Sequence, residues 1–139
     1  MDDFQIHALP KKSSDQLLVY RFEGEFSWEL VGSFSKKLHL DLLNKKYPTN
    51  LLLYINGITF GHVDVDHLLN TDIAAQFRKL MKPDSEKIYR VVFIGDSPME
   101  KLLIGLESIF TQLEHIKLQE TYFDLKDEKA AIKFANTFP

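Results

Sequence analysis

Four residues between positions 62 and 67 carry side chains that could bind a metal ion. His62, Asp64, Asp66 and His67 offer imidazole nitrogens and carboxylate oxygens, which are common ligands of divalent metals. They follow an apolar run at 51–55, and α/β domains usually bind ligands at the carboxyl ends of such strands. Helix capping explains them more simply, because Asp64 can cap a helix and Asp66 suits its positive N-terminal end. Adjacent Asp66 and His67 would point to different sides of that helix, so we predict no bound metal and no cofactor.

A second chemical signature, Gly-Asp-Ser, occupies residues 95–97 at the end of another apolar run. It matches the nucleophile block of GDS-type esterases only superficially. That class also needs an Asp-x-x-His, whereas His115 is the one histidine after Ser97 and follows Thr-Gln-Leu-Glu. Met99 stands where Gly-x-Ser-x-Gly needs its last glycine, and the sequence has no phosphate-binding loop, dinucleotide fingerprint, His-Glu-x-x-His or calcium loop. We therefore predict that the chain is not an enzyme and that Ser97 caps a helix.

Composition narrows the class of protein further. The 139 residues include 17 Lys+Arg and 20 Asp+Glu, a formal charge of −3 with the basic residues scattered, which argues against nucleic-acid binding. Cysteine is absent, so disulfides and thiolate chemistry are excluded and a reducing compartment fits. The chain starts Met-Asp-Asp, unlike a secretory signal, and has no apolar run long enough to span a bilayer. We expect one cytoplasmic domain over residues 1–139.

The first third of the chain predicts two strands and a helix. Residues 4–9 alternate and stop at a proline, and residues 17–26 are rich in branched and aromatic side chains with polar residues at period two. Ser27 is a suitable N-cap for a helix that ends near residues 47–48. Its apolar stripe has three- and four-residue spacing and consists of Val31, Phe34, Leu38 and Leu42.

The remainder alternates between strands and helices. Buried strands are predicted at 51–55 and 88–94, and a shorter one at 117–123. Helices are predicted at 69–80, from 97 to about 113, and at 127–138. The order ββαβαβαβα predicts an α/β fold with a mixed, mostly parallel sheet of about five strands and four flanking helices. The N-terminal hairpin supplies an antiparallel edge.

Three local strings resemble the SpoIIAA-like family, which is related to STAS domains. They are Gly-Glu-Phe-Ser at 24–27, Arg-Val-Val-Phe-Ile-Gly-Asp at 90–96 and Tyr-Phe-Asp-Leu at 122–125. The resemblance covers roughly residues 17–137. It implies a small domain whose biochemical role is mostly undefined, with relatives among bacterial regulatory modules and a distant likeness to lipid-transfer (CRAL-TRIO) domains. Such a likeness transfers fold better than function.

One expected feature of STAS regulators is missing from this sequence. Those regulators carry a phosphorylatable serine just after the central strand, whereas residues 58–64 read Ile-Thr-Phe-Gly-His-Val-Asp. Thr59 is the one hydroxyl there, and as a β-branched residue it is more simply explained as part of the strand. We therefore do not predict a phosphorylation switch at this position.

Two classes of function stay open. The first is a non-catalytic binding or regulatory module that uses its edge strand or the helix at 69–80, and whose edge strand, with Phe4 and Ile6, could pair with its twin in a homodimer. The second is a carrier of a small apolar ligand or lipid, with Trp28 and Phe60 lining a pocket. A metal-dependent hydrolase is a third, weaker alternative. The ligand or partner surface predicted from the sequence comprises Trp28, Phe60, His62, Asp64, Asp66 and His67.

Overall fold

A computed structural model describes residues 4–25, 28–45, 48–59, 87–96 and 119–138. Five strands form one sheet, in which the spatial order of the strands equals their order in the chain. The strands are β1 (Phe4–Ala8), β2 (Leu17–Glu25), β3 (Thr49–Thr59), β4 (Ile88–Gly95) and β5 (Gln119–Asp124). The helices are α1 (Trp28–Leu42) and α2 (Glu128–Ala135), the latter preceded by a 3-10 turn at Leu125–Asp127.

The sheet is mixed and mostly parallel, as predicted. β1 pairs antiparallel with β2, with Ile6 opposite Phe22. The other three pairings, β2–β3, β3–β4 and β4–β5, are parallel. The predicted N-terminal hairpin is therefore confirmed, and β1 forms one edge of the sheet.

The number and order of helices differ from the prediction. The described residues contain two α-helices rather than four, and their elements follow the order ββαβββα instead of ββαβαβαβα. The difference arises because the two helices predicted at 69–80 and from 97 to about 113 lie outside the described residues.

Several element boundaries were predicted wrongly, and among them α2 ends at Ala135 rather than at residue 138. Helix α1 ends at Leu42 rather than near residues 47–48, because the fully buried Leu42 is the last member of its apolar stripe while Leu43 is exposed. The central strand spans Thr49–Thr59 rather than residues 51–55. Its extension begins with Thr49 and Asn50, two polar residues that are completely buried and therefore interrupt the apolar pattern without ending the strand.

Helix α1 covers one face of the sheet. Phe34 lies edge-on to Tyr20 and Phe22 of β2, with ring centroids 5.2 and 4.9 Å apart, a favourable arrangement for aromatic pairs. Side chains alternate between faces along a strand, so the same face carries the next buried residues of β3 and β4. These are Leu51, Leu53, Ile55, Val91 and Phe93.

Helix α2 covers the opposite face. Ala131 and Ala135 are completely buried and belong to one core cluster with residues of β2, β3 and β4. Their methyl groups let the helix backbone approach the sheet closely, and Phe134 and Ile132 pack beside them. The sheet residues in this second core are Leu17, Val19, Leu52, Tyr54, Val92 and Ile94.

Candidate functional site

Most of the surface predicted from the sequence lies outside the described residues. Phe60, His62, Asp64, Asp66 and His67 belong to this group. Trp28 is the first residue of α1, but its side chain is not described either. The predicted ligand or partner surface at these positions therefore stays a prediction.

Thr59, the residue immediately before that surface, is described. It is the last residue of β3 and is exposed, and its hydroxyl oxygen lies 3.5 Å from the backbone oxygen of Gly24 on β2. The interpretation of Thr59 as a strand residue is confirmed.

The carboxyl ends of β4 and β5 meet at Gly95 and Asp124, which are paired in the sheet. A Cβ atom at Gly95 would come within 3.1 Å of Ile55 and 3.3 Å of Tyr122, so close packing explains the glycine of the Gly-Asp-Ser string. The Tyr122 hydroxyl donates to the backbone oxygen of Asp96 at 2.9 Å. Asp124 accepts from the Lys126 amide at 3.1 Å and caps the 3-10 turn. Local structure accounts for these contacts.

Arg90 and Asn50 hold the carboxyl end of α2, a role that sequence reasoning missed. Arg90 Nη1 donates to the backbone oxygens of Phe134 and Thr137 at 3.0 and 3.1 Å and to Thr137 Oγ1 at 2.8 Å. Its guanidinium also lies 3.9 Å from the centre of the Phe134 ring. Asn50 Nδ2 donates to the oxygens of Ala135 and Thr137 at 2.8 and 2.9 Å. A cation and an amide donor thus satisfy carbonyls that a helix end leaves without partners.

The sequence signal for this role is a polar residue inside an apolar run. Arg90 interrupts the buried run of β4, and Asn50 precedes the leucines of β3. Buried polar groups must be hydrogen-bonded, so such residues indicate a fastening point. The sequence does not indicate which element they fasten.

Tyr54 holds the amino end of the same helix. Its hydroxyl donates to Glu128 Oε2 at 2.7 Å, and Lys12 Nζ lies 4.0 Å from the same oxygen and 5.0 Å from the centre of the Tyr54 ring. Burial, followed by the hydrogen bond and the negative charge of Glu128, raises the pKa of Tyr54 well above its ordinary value. The phenol therefore stays protonated and acts as a donor rather than as a base.

Tyr20 anchors α1 in the same way. Its hydroxyl donates to Asp41 Oδ2 at 2.5 Å. Burial is the largest cause that raises the pKa of Tyr20, and the hydrogen bond and charge of Asp41 add to it. Both buried phenols in the described core thus join a helix to the sheet.

The outer edge of β1 is the described feature best suited to bind a partner. The Leu9 amide donates to the backbone oxygen of Val19 at 2.9 Å. This bond determines which β1 residues direct their backbone N–H and C=O groups toward β2. Hydrogen-bonded pairs alternate along an antiparallel ladder, so Gln5 and His7 bond to β2. The N–H and C=O groups of Phe4, Ile6 and Ala8 therefore point away from the sheet.

Ser13 completes this ladder at the hairpin end. Its hydroxyl donates to the Leu9 oxygen at 2.9 Å and accepts from the Val19 amide at 3.1 Å. Leu9 and Val19 thus share one direct backbone hydrogen bond, and the serine hydroxyl bridges the Leu9 oxygen and the Val19 amide. These bonds hold the hairpin at this end.

The side chains of β1 are exposed or half-buried. Gln5 and Ala8 are exposed, whereas Phe4, Ile6 and His7 are half-buried. On the neighbouring strand, Glu23 lies between two basic side chains. Its Oε2 is 3.5 Å from His7 Nε2, and its Oε1 is 3.3 Å from Arg21 Nε. Arg21 and Glu23 therefore lie on β2, one strand inward from the edge, and His7 is the β1 side chain that contacts them.

Groups of metal ligands and helices able to span a membrane are both absent from the described part of the chain. Across residues 4–25, 28–45, 48–59, 87–96 and 119–138, no three histidine or acidic residues are grouped so as to hold a metal. Within the same ranges, no helix has both the length and the apolar character needed to cross a bilayer.

Comparison with known proteins identifies the fold. No protein-family model and no curated protein matches the chain. Among solved structures, it is similar to an uncharacterised protein of the DUF3478 family with a SpoIIAA-like fold, from Shewanella loihica PV-4. The match covers 95% of this chain and 93% of that chain, with 18% sequence identity and a TM-score of 0.60. The SpoIIAA-like fold predicted from the sequence is confirmed, and at this identity the likeness concerns the fold alone.

Proposed function

We propose that the chain is a non-catalytic binding or regulatory module of the SpoIIAA-like type, whose partner adds a strand to the outer edge of β1. The observation that carries this proposal is the row of backbone groups on Phe4, Ile6 and Ala8 that point away from β2. Such a row is a template for strand addition, in which main-chain hydrogen bonds supply affinity and alternate side chains supply specificity.

The composition of β1 supports this role. Natural edge strands usually avoid unwanted pairing by means of lysine, proline, inward-pointing charges or bulges. The strand reads Phe-Gln-Ile-His-Ala, without lysine, arginine, acidic residues or proline, and its register with β2 is continuous. The irregularity of register in β2 falls between Arg21 and Glu23 on the side that faces β3. Among the described residues, the outer edge is therefore regular and carries none of these protective features.

The buried polar side chains support a non-catalytic role. Tyr20, Tyr54, Asn50 and Arg90 all have partners that fasten α1 or α2 to the sheet. Their contacts are explained by the need to satisfy buried polar groups. We propose that regulation, where it occurs, acts through a partner at the sheet edge and not through a phosphoserine.

Several predictions from the sequence concern features that the structure does not describe, and we retain them as proposals. Parallel neighbours such as β3 and β4 need a crossover connection, which is usually helical, so we retain helices at 69–80 and from 97 to about 113. The apolar-ligand carrier depends on the side chain of Trp28, which is not described, and on Phe60. The metal-dependent hydrolase depends on His62 and its neighbours, which like Phe60 lie outside the described residues. A cytoplasmic location and a single domain over 1–139 remain expectations from the sequence.

Substitution of Ala8 tests the proposed function. Ala8→Pro removes an N–H that β2 does not use and blocks strand addition, since proline is tolerated where the N–H of an edge strand faces solvent. Ala8→Ser is the matched control because it keeps the N–H. We expect a chemically crosslinked partner from cell extract to be captured by the wild-type chain and Ala8→Ser, and to be lost from Ala8→Pro.

Thermal unfolding establishes that all three proteins are folded before capture. The proposal is contradicted if the three proteins capture the same set of partners, an empty set included. It is also contradicted if the partners lost from Ala8→Pro are lost equally from Ala8→Ser, because the N–H would then have no role.

A further inference from the structure

We infer that the carboxyl half of α1 docks on the surface of a membrane that contains anionic lipids. The docking surface consists of three exposed residues, Lys36, Leu40 and Leu43, which we call the α1 patch. It belongs to the outer side of a helix and not to the edge of the sheet. The inference therefore goes beyond the proposed function and does not depend on it.

The α1 patch lies on the side of α1 that faces away from the sheet. An α-helix repeats every 3.6 residues, so positions 36, 40 and 43 share one side. The Leu43 amide donates to the Leu40 oxygen at 3.3 Å and continues the turn beyond the last helical residue. The buried residues share the opposite side and are Leu30, Phe34, Leu38 and Leu42.

The apolar part of the α1 patch is a pair of neighbouring leucines. Leu40 and Leu43 are the two most exposed large apolar side chains in the described part of the chain, at 64% and 53%. A single exposed leucine is ordinary on a protein surface. Residues three apart along a helix are neighbours, so these two form one apolar ridge, which gains free energy when it leaves water.

The charge beside the leucines is positive. Between residues 30 and 45 the sequence contains three lysines and one acidic residue, Asp41. Asp41 accepts a hydrogen bond from Tyr20, so its carboxylate is directed towards the sheet. Lys45 donates to the hairpin that joins β1 and β2. Lys36 is exposed and Lys37 half-buried, and among the described residues no ion pair involves either of them.

Local structure does not account for these two lysines. The negative end of a helix stabilises basic residues in its last turn, and the basic residue there is His39. Lys36 and Lys37 lie earlier in α1. Together with the leucines they form a surface that is both positive and apolar, and its complement is a surface that is negative and apolar.

A membrane surface has this complementary character. Anionic headgroups lie directly above apolar chains, and lysine stems can lie along apolar surface while their ammonium groups stay among the headgroups. Two leucines on a convex ridge are much less than the apolar core of a stable protein interface. A bilayer needs no matching groove, and such a contact gives reversible binding that is sensitive to salt.

Sedimentation of the full chain with lipid vesicles tests the inference. Vesicles of phosphatidylcholine and phosphatidylglycerol in equal parts supply the anionic surface, and pure phosphatidylcholine supplies the neutral reference. At low salt we expect at least about tenfold stronger binding to the mixed vesicles, because lysines are attracted to an anionic surface. We expect this preference to disappear in about 1 M salt, where the charges are screened.

Replacement of the leucines tests the apolar contact. Leu40→Ser combined with Leu43→Ser should weaken binding to the mixed vesicles at least about tenfold, because the apolar side chains no longer leave water. Leu125→Ser is the matched control. Leu125 is also exposed, but it lies in the 3-10 turn before α2 and its replacement should leave binding unchanged.

Replacement of the lysines tests the electrostatic contact. Lys36→Gln combined with Lys37→Gln should weaken binding to the mixed vesicles about tenfold at low salt. Lys129→Gln combined with Lys133→Gln is the matched control, because it removes the same charge from exposed positions of α2. Thermal unfolding establishes that all these variants are folded.

A fluorescent label locates the contact without changing the α1 patch. The chain has no cysteine, so Asn44→Cys and Lys129→Cys each provide one thiol, and both positions are exposed. A polarity-sensitive dye at position 44, next to Leu43, should brighten when mixed vesicles are added. The same dye at position 129, on the opposite face of the sheet, should not respond.

Each result supports or overturns the inference. It is overturned if the wild-type chain binds neither kind of vesicle, if the double leucine variant binds as strongly as the wild type, or if Leu125→Ser weakens binding equally. A soluble protein captured through Leu40 and Leu43 by a chain that does not bind vesicles would also overturn it. Ala8→Pro should bind vesicles like the wild type, so failure here leaves strand addition at β1 untouched.

Discussion

At the scale of single residues, Arg90 has the most demanding position in the described part of the protein. It is 8% exposed in the middle of an apolar strand, where a charge without partners would be strongly destabilising. Its guanidinium instead serves the carbonyls at the end of α2 and stacks on Phe134. Planar geometry with several donors makes arginine suited to this position in a way that lysine is not.

Replacement of Arg90 tests that role. Arg90→Leu should lower the free energy of unfolding by about 1–3 kcal/mol, because the Phe134 and Thr137 carbonyls each lose one of their donors and the Phe134 ring loses the stacked cation. Arg90→Lys should recover part of the loss. Arg21→Leu is the control, since Arg21 is exposed and such substitutions usually change stability by less than about 0.5 kcal/mol. Urea unfolding measures all three, and equal losses for Arg90→Leu and Arg21→Leu would contradict the assigned role.

At the scale of elements, the sequence predicted the strands better than their ends. The period-two pattern of β2 and the apolar runs of β3 and β4 located these strands, because burial on one or both faces dictates the pattern. The start of β3 was not predicted because it consists of two polar residues, Thr49 and Asn50, which are fully buried. Polar residues at the end of an apolar run are typical of loops, and only their partners show that they belong to the strand. The partners of Asn50 lie at the end of α2, about 85 residues later, and no local pattern contains that information.

The helix α2 shows how small residues set the distance between helix and sheet. Ala131 and Ala135 are completely buried, and the polar contacts of Tyr54 and Arg90 hold the two ends of the helix. The sequence predicted a helix with these alanines. It did not predict that α2 lies on the face opposite α1, because the last helix of a chain is not bound by the crossover rule.

Overpacking under α2 tests this arrangement. Ala131→Leu should lower the free energy of unfolding by about 1–3 kcal/mol, because extra methylene groups have no space between helix and sheet. Ala130→Leu is a matched control one residue away, on the exposed side of the same helix, and should change stability by less than about 0.5 kcal/mol. Thermal or urea unfolding distinguishes the two variants. Equal stability of both would show that the buried alanine does not limit the approach of the helix.

At the scale of the whole molecule, the sequence predicted the fold more completely than the candidate site. The alternation of strands and helices predicts a mostly parallel sheet with an antiparallel hairpin, and the sheet register and the structural comparison agree with it. The sequence pointed to a ligand surface around residues 62–67, which lies outside the described residues. Phe4 and Ile6 were predicted in a strand that could pair with its twin. The direction of their backbone groups depends on the Leu9–Val19 bond, which a sequence pattern does not encode.

The central claim is that the outer edge of β1 is open in the single chain, and amide hydrogen exchange measured residue by residue tests it most directly. At low protein concentration the amides of Gln5 and His7, which bond to β2, should exchange slowly, and those of Ile6 and Ala8 should exchange fast. This alternation within one short strand is the predicted result. Slow exchange of Ile6 and Ala8, at rates equal to those of Gln5 and His7, would show that the edge is already covered and would contradict the account.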